Sequence, residues 1–146
     1  MRTYIWNTRK RQAEKDEYYA SLKAGGCIFC RLPNTGNKIV ATTEHFYVIV
    51  NMFPYDWFDM HDVITHYLLI PKRHILTFKE FNQSEIEDYY QIVSDYESRG
   101  FSIYTRSSTN KSRSVSHFHT HLIKTGDKKY GTFIILIGKL GIRIVK

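Results

Sequence analysis

Alternating apolar and polar positions divide the chain into helical stretches and a series of short strands. Over residues 84–100, Ser84 and Glu87 have the spacing of a capping box, and Ile86, Tyr89, Tyr90, Val93 and Tyr96 form an apolar stripe of helical period that Gly100 closes. An earlier amphipathic helix is expected from about Thr8 to Ala24, with Glu14, Tyr18 and Leu22 on one face and Gly25-Gly26 as its stop. Between the two, "KIVATTEHFYVIVNMF" is rich in β-branched and aromatic residues and predicts two strands joined near Thr43 and Glu44. "HYLLIPKRH" predicts a strand that Pro71 ends, whereas "PYDWFDMHDVIT" follows no period. Beyond Gly100, "FSIYTRS" reads as a strand, "STNKSRS" as a polar loop and "SVSHFHTHLIK" as the next strand. The apolar "TFIILIGKLGIRIV" is broken by Gly138, Lys139, Gly141 and Arg143 well short of a membrane span, and reads as two strands joined by a turn.

This order of elements indicates an α+β domain with an antiparallel sheet of about five strands and packed helices. The length of 146 residues suits one domain over 1–146: a helical extension (1–26), a core (27–123) and a carboxy-terminal extension (124–146) carrying an atypical β-hairpin. Eleven Tyr and nine Phe imply a well-filled core or stacking surfaces. A net charge of +7, spread over several places, favours an anionic partner and suggests phosphate without naming its carrier. The basic start is followed by no apolar run of signal-peptide length, so a cytoplasmic protein with no membrane partner is expected. Cys27 and Cys30 are the only cysteines, and their spacing in a reducing compartment suggests metal or redox chemistry more than a disulfide.

His117, His119 and His121 share one face if their segment is a strand. Residues two apart lie ~6.6 to 6.8 Å apart along a strand, which puts the outer pair roughly 13 Å from each other. Metal–nitrogen bonds of about 2.0 to 2.1 Å do not let one ion reach all three. The row therefore divides between two tasks, one end helping to bind a metal and the rest addressing a substrate. The interleaved Phe118, Leu122 and Ile123 belong to a sheet core, not to a solvated tag.

"HFHTHLI" resembles the histidine triad motif, although Thr120 is less apolar than is usual there. "CIFC", "NMFP" and "HYLLIPKRHI" resemble further blocks of the histidine triad (HIT) nucleotide hydrolases and transferases, in the expected order over about Cys27 to Ile123. The resemblance implies a HIT-like fold and a structural Zn²⁺ held by Cys27, Cys30, His74 and His117. It implies that His119 is the nucleophile toward the α-phosphorus of a nucleotide, forming a covalent nucleotidyl-histidine while a backbone carbonyl holds its other nitrogen. His121 and Ser114 would bind the phosphate, His66 would support the catalytic strand, and Asn51 would hold the ribose. Ile28, Phe29 and Leu32 would wall the base, or serve simply as core.

Two departures stand out. Several extra residues separate Pro54 from His66, among which Trp57 and His61 are candidates to reach a substrate. The phosphate loop reads "RSSTNKSRS", with Arg113 where Gln is usual and Arg106 where Asn or Gln is common, adding positive charge for phosphate. The implied activity is hydrolysis or transfer at the α-phosphate of an AMP-X compound, dinucleoside polyphosphate or phosphoramidate, with water favoured over inorganic phosphate as acceptor. A homodimer is a candidate assembly. The alternative is a non-catalytic zinc-containing module that binds nucleotide or nucleic acid; no aromatic-interleaved basic motif of a nucleic-acid module is visible.

Overall fold

A computed structural model describes residues 26–32 and 38–129, Asp16 and Ala20 near the amino terminus, and the backbone of 133–137 and 141–145. The helix expected over 8–24 lies outside the described residues except for Asp16 and Ala20, both helical. Strands β1 (Ile39–Thr42), β2 (Phe46–Val50), β3 (Trp57–Phe58), β4 (His61–Pro71), β5 (Ser102–Thr105) and β6 (Thr120–Lys129) form one antiparallel sheet. Its order is β1-β2-β4-β6-β5, with the short β3 pairing β4 off this path. Helix α1 (Gln83–Ser98) lies between β4 and β5 in sequence, and β7 (Phe133–Ile137) pairs with β8 (Gly141–Val145) as the expected hairpin. Among the described residues, no helix is long and apolar enough to cross a membrane.

The centre of the sheet is covered on both faces. Phe46 and Val48 of β2, Leu69 of β4 and Leu122 of β6 pack with Ile92, Tyr96 and Phe101 on the α1 side. Ile49, Leu68 and Ile70 pack on the other side with Val115 and with Ile28, Phe29 and Leu32, which belong to or follow the 3-10 turn Ile28–Arg31. Each such side chain contributes roughly 1.5–3 kcal/mol of burial free energy. Consecutive strand residues thus serve opposite faces, as the period of two requires.

The helix boundaries follow local chemistry. The capping box belongs to Asn82 and Glu85, not to Ser84 and Glu87: Asn82 Oδ1 accepts from the Glu85 N–H at 2.9 Å, and Glu85 Oε2 accepts from the Asn82 N–H at 2.9 Å. Glu87 instead accepts from Gln83 at 2.8 Å. The face packed on the sheet carries Ile92 and Tyr96, which are buried, while Ile86 and Tyr90 of the expected stripe face out. At the other end Gly100 adopts φ +81°, its N–H reaching the Glu97 carbonyl at 2.8 Å and that of Phe101 the Tyr96 carbonyl at 3.1 Å. With Phe101 packed on Tyr96, this is a Schellman stop.

Two local devices shape β4. Its first half, in the segment without a sequence period, forms a hairpin with β3 through Asp59 and Met60, whose φ values of 49° and 64° match the primed turns that connect twisted strands. Further on, the Asp62 carboxylate accepts from the Lys128 N–H at 3.0 Å and approaches Gly126 so closely that a Cβ there would lie 2.8 Å from Oδ1. A side chain at 126 would require the Asp62 carboxylate to turn aside.

Candidate active site and metal cluster

The histidine row does not lie wholly on a strand. β6 begins at Thr120, so His117 and His119 occupy the extended segment before it and only His121 is a strand residue. The Phe118 N–H, bonded to the Ile75 carbonyl at 2.7 Å, ties this segment to the loop that follows β4. The same loop carries His74. It is fixed to the helix by Arg73, which meets Glu85 bidentately at 2.9 and 2.8 Å. That guanidinium contact holds the Glu85 carboxyl below its ordinary range.

Cys27, at the start of the 3-10 turn, and Cys30 within it face these two loops. His117 Nδ1 lies 3.4 Å from Cys27 Sγ and 3.5 Å from Cys30 Sγ, and His74 Nδ1 lies 3.1 Å from Cys30 Sγ. All four ligand atoms fall within 4.8 Å of one another, close enough to hold a metal ion. His117 Nε2–H donates to the Pro71 carbonyl at 2.8 Å, which leaves Nδ1 unprotonated and turned toward the thiols. Burial lowers the His117 pKa to about 4, so the ring is neutral at pH 7. Desolvation, then the neighbouring Cys27, pushes the Cys30 thiol up to about 11. A cation would relieve that crowding by taking the place of the thiol protons, and the donor set suits one.

The next histidine uses its ring the other way round. His119 Nδ1–H donates to the His117 carbonyl at 2.8 Å, so its Nε2 keeps the lone pair. His119 lines a cavity of about 240 Å³ and is neutral, its pKa lowered first by burial and, further, by the charges of Arg113 and Arg106.

The protonation of His121 follows from a chain of bonds. The Tyr55 backbone N–H donates to His66 Nδ1 at 3.1 Å, placing the His66 proton on Nε2, which lies 2.8 Å from His121 Nδ1. His121 Nδ1 must accept, so the His121 proton sits on Nε2, a buried atom with no hydrogen-bond partner among the described residues. Burial lowers the His66 pKa to about 4, with the Arg106 charge acting in the same direction. The His121 pKa is driven far down by burial and by the neighbouring His119, His66 and Arg106. The cavity therefore receives a bare ring nitrogen from His119 and an N–H from His121, their ring centroids 5.3 Å apart.

Most other expected residues gather at this cavity. Ile28, Phe29, Asn51 and Ser114 line it. The Phe29 ring edge also contacts both His117 and His119, linking the metal cluster to the cavity. Asn51 is partly committed: its Oδ1 accepts from the Phe53 N–H at 3.0 Å.

Two expected binding residues lie elsewhere. Leu32 is buried in the core rather than on the cavity wall, because the 3-10 turn points it behind Ile28 and Phe29 against the sheet. Arg113 spends its guanidinium on the carbonyls of Val115, Leu76 and Ser116 at 3.1, 3.0 and 2.7 Å; it holds the loop and does not line the cavity. Neither Trp57 nor His61 lines it; His61 Nδ1–H donates to the Asp59 carbonyl at the hairpin turn.

Tyr55 was not a sequence candidate, yet it lines the cavity and stacks on His121 with centroids 5.6 Å apart and planes at 22°. Its only signal in the sequence was its place directly after the "NMFP" block.

The family model described as "HIT domain" matches residues 33–128. A HIT family hydrolase from Clostridium thermocellum is 25% identical, with a TM-score of 0.53 over 70% of this chain and 92% of that one. A hypothetical histidine triad nucleotide-binding protein from Sulfolobus tokodaii is 23% identical, with a TM-score of 0.54 over 72% of each chain. The diadenosine triphosphate hydrolase of Plasmodium falciparum, solved with cyclomarin A, is 20% identical, with a TM-score of 0.50 over 64% of this chain and 65% of that one. The last two are likenesses of fold. No curated protein sequence gives a significant match.

Proposed function

The chain belongs to the HIT domain family, and on that premise we propose that it is a nucleotide hydrolase or nucleotidyltransferase that works through a covalent nucleotidyl-histidine at His119. The lone pair of His119 Nε2 attacks the α-phosphorus, the N–P bond forms, and the bond to the leaving group breaks with its electron pair. The carbonyl of His117 stabilises the cationic ring through Nδ1–H. His121 Nε2–H donates a hydrogen bond to a phosphoryl oxygen or to the departing atom, which takes its proton from solvent, and His66 holds that tautomer by offering its own Nε2–H at Nδ1. In the second half, water or another acceptor attacks phosphorus, the N–P bond breaks to return the lone pair to His119 Nε2, and the acceptor's proton passes to solvent.

Ser114 binds the same phosphate, Asn51 the ribose, and Ile28 and Phe29 the base. Cys27, Cys30, His74 and His117 would hold a structural Zn²⁺, which would contribute folding free energy by tying the amino-terminal turn to the loop after β4 and the segment before β6. The observation that carries this reading is the presence in one cavity of two adjacent ring nitrogens in opposite protonation states.

Incubation with diadenosine tetraphosphate tests it. A hydrolase releases AMP and ATP, whereas ADP together with ATP, formed only when inorganic phosphate is added, marks a phosphorylase. Mass analysis of rapidly quenched enzyme is expected to find an adenylyl group on the peptide carrying His119. Wild-type turnover by His119→Ala removes the nucleophile, and tight nucleotide binding without release of any product leaves the binding-module alternative.

A further inference from the structure

Arg106 follows β5 directly and, among the described residues, is the only one lining the cavity with a fixed charge; no described carboxylate lines it. It is built in with care. Its Nη2 donates to the Tyr55 hydroxyl, and its Cζ lies 5.7 Å from the Tyr55 ring and 5.6 Å from the Tyr104 ring. Both rings also lean on His121. Among the described residues its buried Nε has no hydrogen-bond partner, and no carboxylate pairs with the charge. A half-buried cation flanked by two aromatic rings, with a buried donor unused beside a cavity, is poised for an anion.

The strand order says where that anion lies. Ile49 of β2 and Leu68 of β4 form the apolar side of the cavity, His121 stands on β6, and Arg106 adjoins β5. Because neighbouring strands are ~4.8 Å apart, these groups follow one another across the sheet in the order β2-β4-β6-β5. A nucleoside on the apolar side and an α-phosphorus at the histidines put Arg106 one strand further on, beyond the bond that breaks.

We propose that Arg106, clasped by Tyr55 and Tyr104, binds a second phosphoryl group on the leaving-group side and so selects nucleoside 5′-polyphosphates over AMP derivatives with uncharged leaving groups. The assignment rests on the nucleotide reading of the cavity. Arg106 contacts the substrate; Tyr55, on the segment between Pro54 and His66, is its positioning residue.

Two ratios test this. By calorimetry the wild type is expected to bind ADP more tightly than AMP, and Arg106→Gln to reduce that preference roughly 10- to 100-fold, the worth of a charge-assisted hydrogen bond. The ratio of kcat/KM for diadenosine triphosphate to that for adenosine 5′-phosphoramidate is expected to fall by a similar factor, and Arg106→Lys to recover part of it. Tyr55→Phe lowers both ratios less, through KM rather than kcat, and decides the matter if Arg106→Gln does not fold. Ratios within about threefold of wild type in these variants overturn the proposal. If the wild type turns over neither substrate the parent reading fails, while the ADP-over-AMP preference and its dependence on Arg106 still decide this one.

Discussion

His117 and His119 are two residues apart, both buried, both neutral, and both bonded to a backbone carbonyl, yet they suit different chemistries. His117 gives its Nε2–H to Pro71 and presents Nδ1 to two thiols; His119 gives its Nδ1–H to His117 and presents Nε2 to a cavity. The choice of carbonyl decides which nitrogen keeps its lone pair, and so whether the ring is fitted to a metal or to phosphorus. His121 adds a third case. It leans on another imidazole instead of a carbonyl, and therefore offers a proton where His119 offers electrons.

The sharpest way to break this contrast is to delete each ring in turn. His119→Ala is expected to lower kcat by about 10⁴-fold or more while the melting temperature and metal content stay near wild type, as steady-state kinetics and metal analysis will show. His117→Ala and Cys27→Ser should do the reverse at first order, releasing the metal and lowering the melting temperature by roughly 10 °C or more in calorimetry. Equal loss of metal in the His119 variant would erase the distinction between the two rings.

His121→Ala comes next, with a loss of about 10²- to 10⁴-fold in kcat, the range for a positioned proton donor, and greatest for substrates with poor leaving groups.

A pH series sharpens the comparison from the side of stability. The folded-state pKa of His66 is about 4 against 6.5 when unfolded, so below pH 6.5 the unfolded chain binds the extra proton. Stability contributed by the neutral ring is present above pH 6.5 and lost as pH falls toward 4. Urea midpoints measured from pH 8 to 4.5 should therefore decline, and decline less in His66→Gln. Glu85, depressed by Arg73, adds its own loss only below its ordinary carboxylate range.

The smallest effect is expected at Thr120. Its hydroxyl lies 2.9 Å from that of Tyr89 and 2.7 Å from that of Thr105, which accounts for a polar residue at a usually apolar place in the motif. Thr120→Val should cost about 1–2 kcal/mol in chemical denaturation and leave kcat nearly unchanged.

What the sequence disclosed, and what it hid, divides along the range of the interaction responsible. The stop at Pro71 and the closing Gly100 are local signals, and each corresponds to a local cause in the structure; the CxxC spacing and the alternating histidines are local patterns whose roles depend on distant partners. The capping box was misplaced by two residues because Asn82 and Ser84 both offer a side-chain oxygen three residues before a glutamate; packing of Ile92 and Tyr96 on the sheet favours the first. The β3–β4 hairpin was hidden because Asp-Met lacks the glycine that usually announces a turn with positive φ. Leu32, Arg113, Tyr55 and Arg106 differ in role only through which distant segment meets them, a matter no window along the chain contains.

The contact between Asp62 and Gly126 bears on how this scaffold can drift. A single methyl group at 126 would meet the far end of the Asp62 side chain, which caps the Lys128 amide, and that carboxylate would have to turn aside and leave the amide to solvent. A change at 126 is therefore relayed to Lys128 through Asp62, and a shorter side chain at 62 would make room for it.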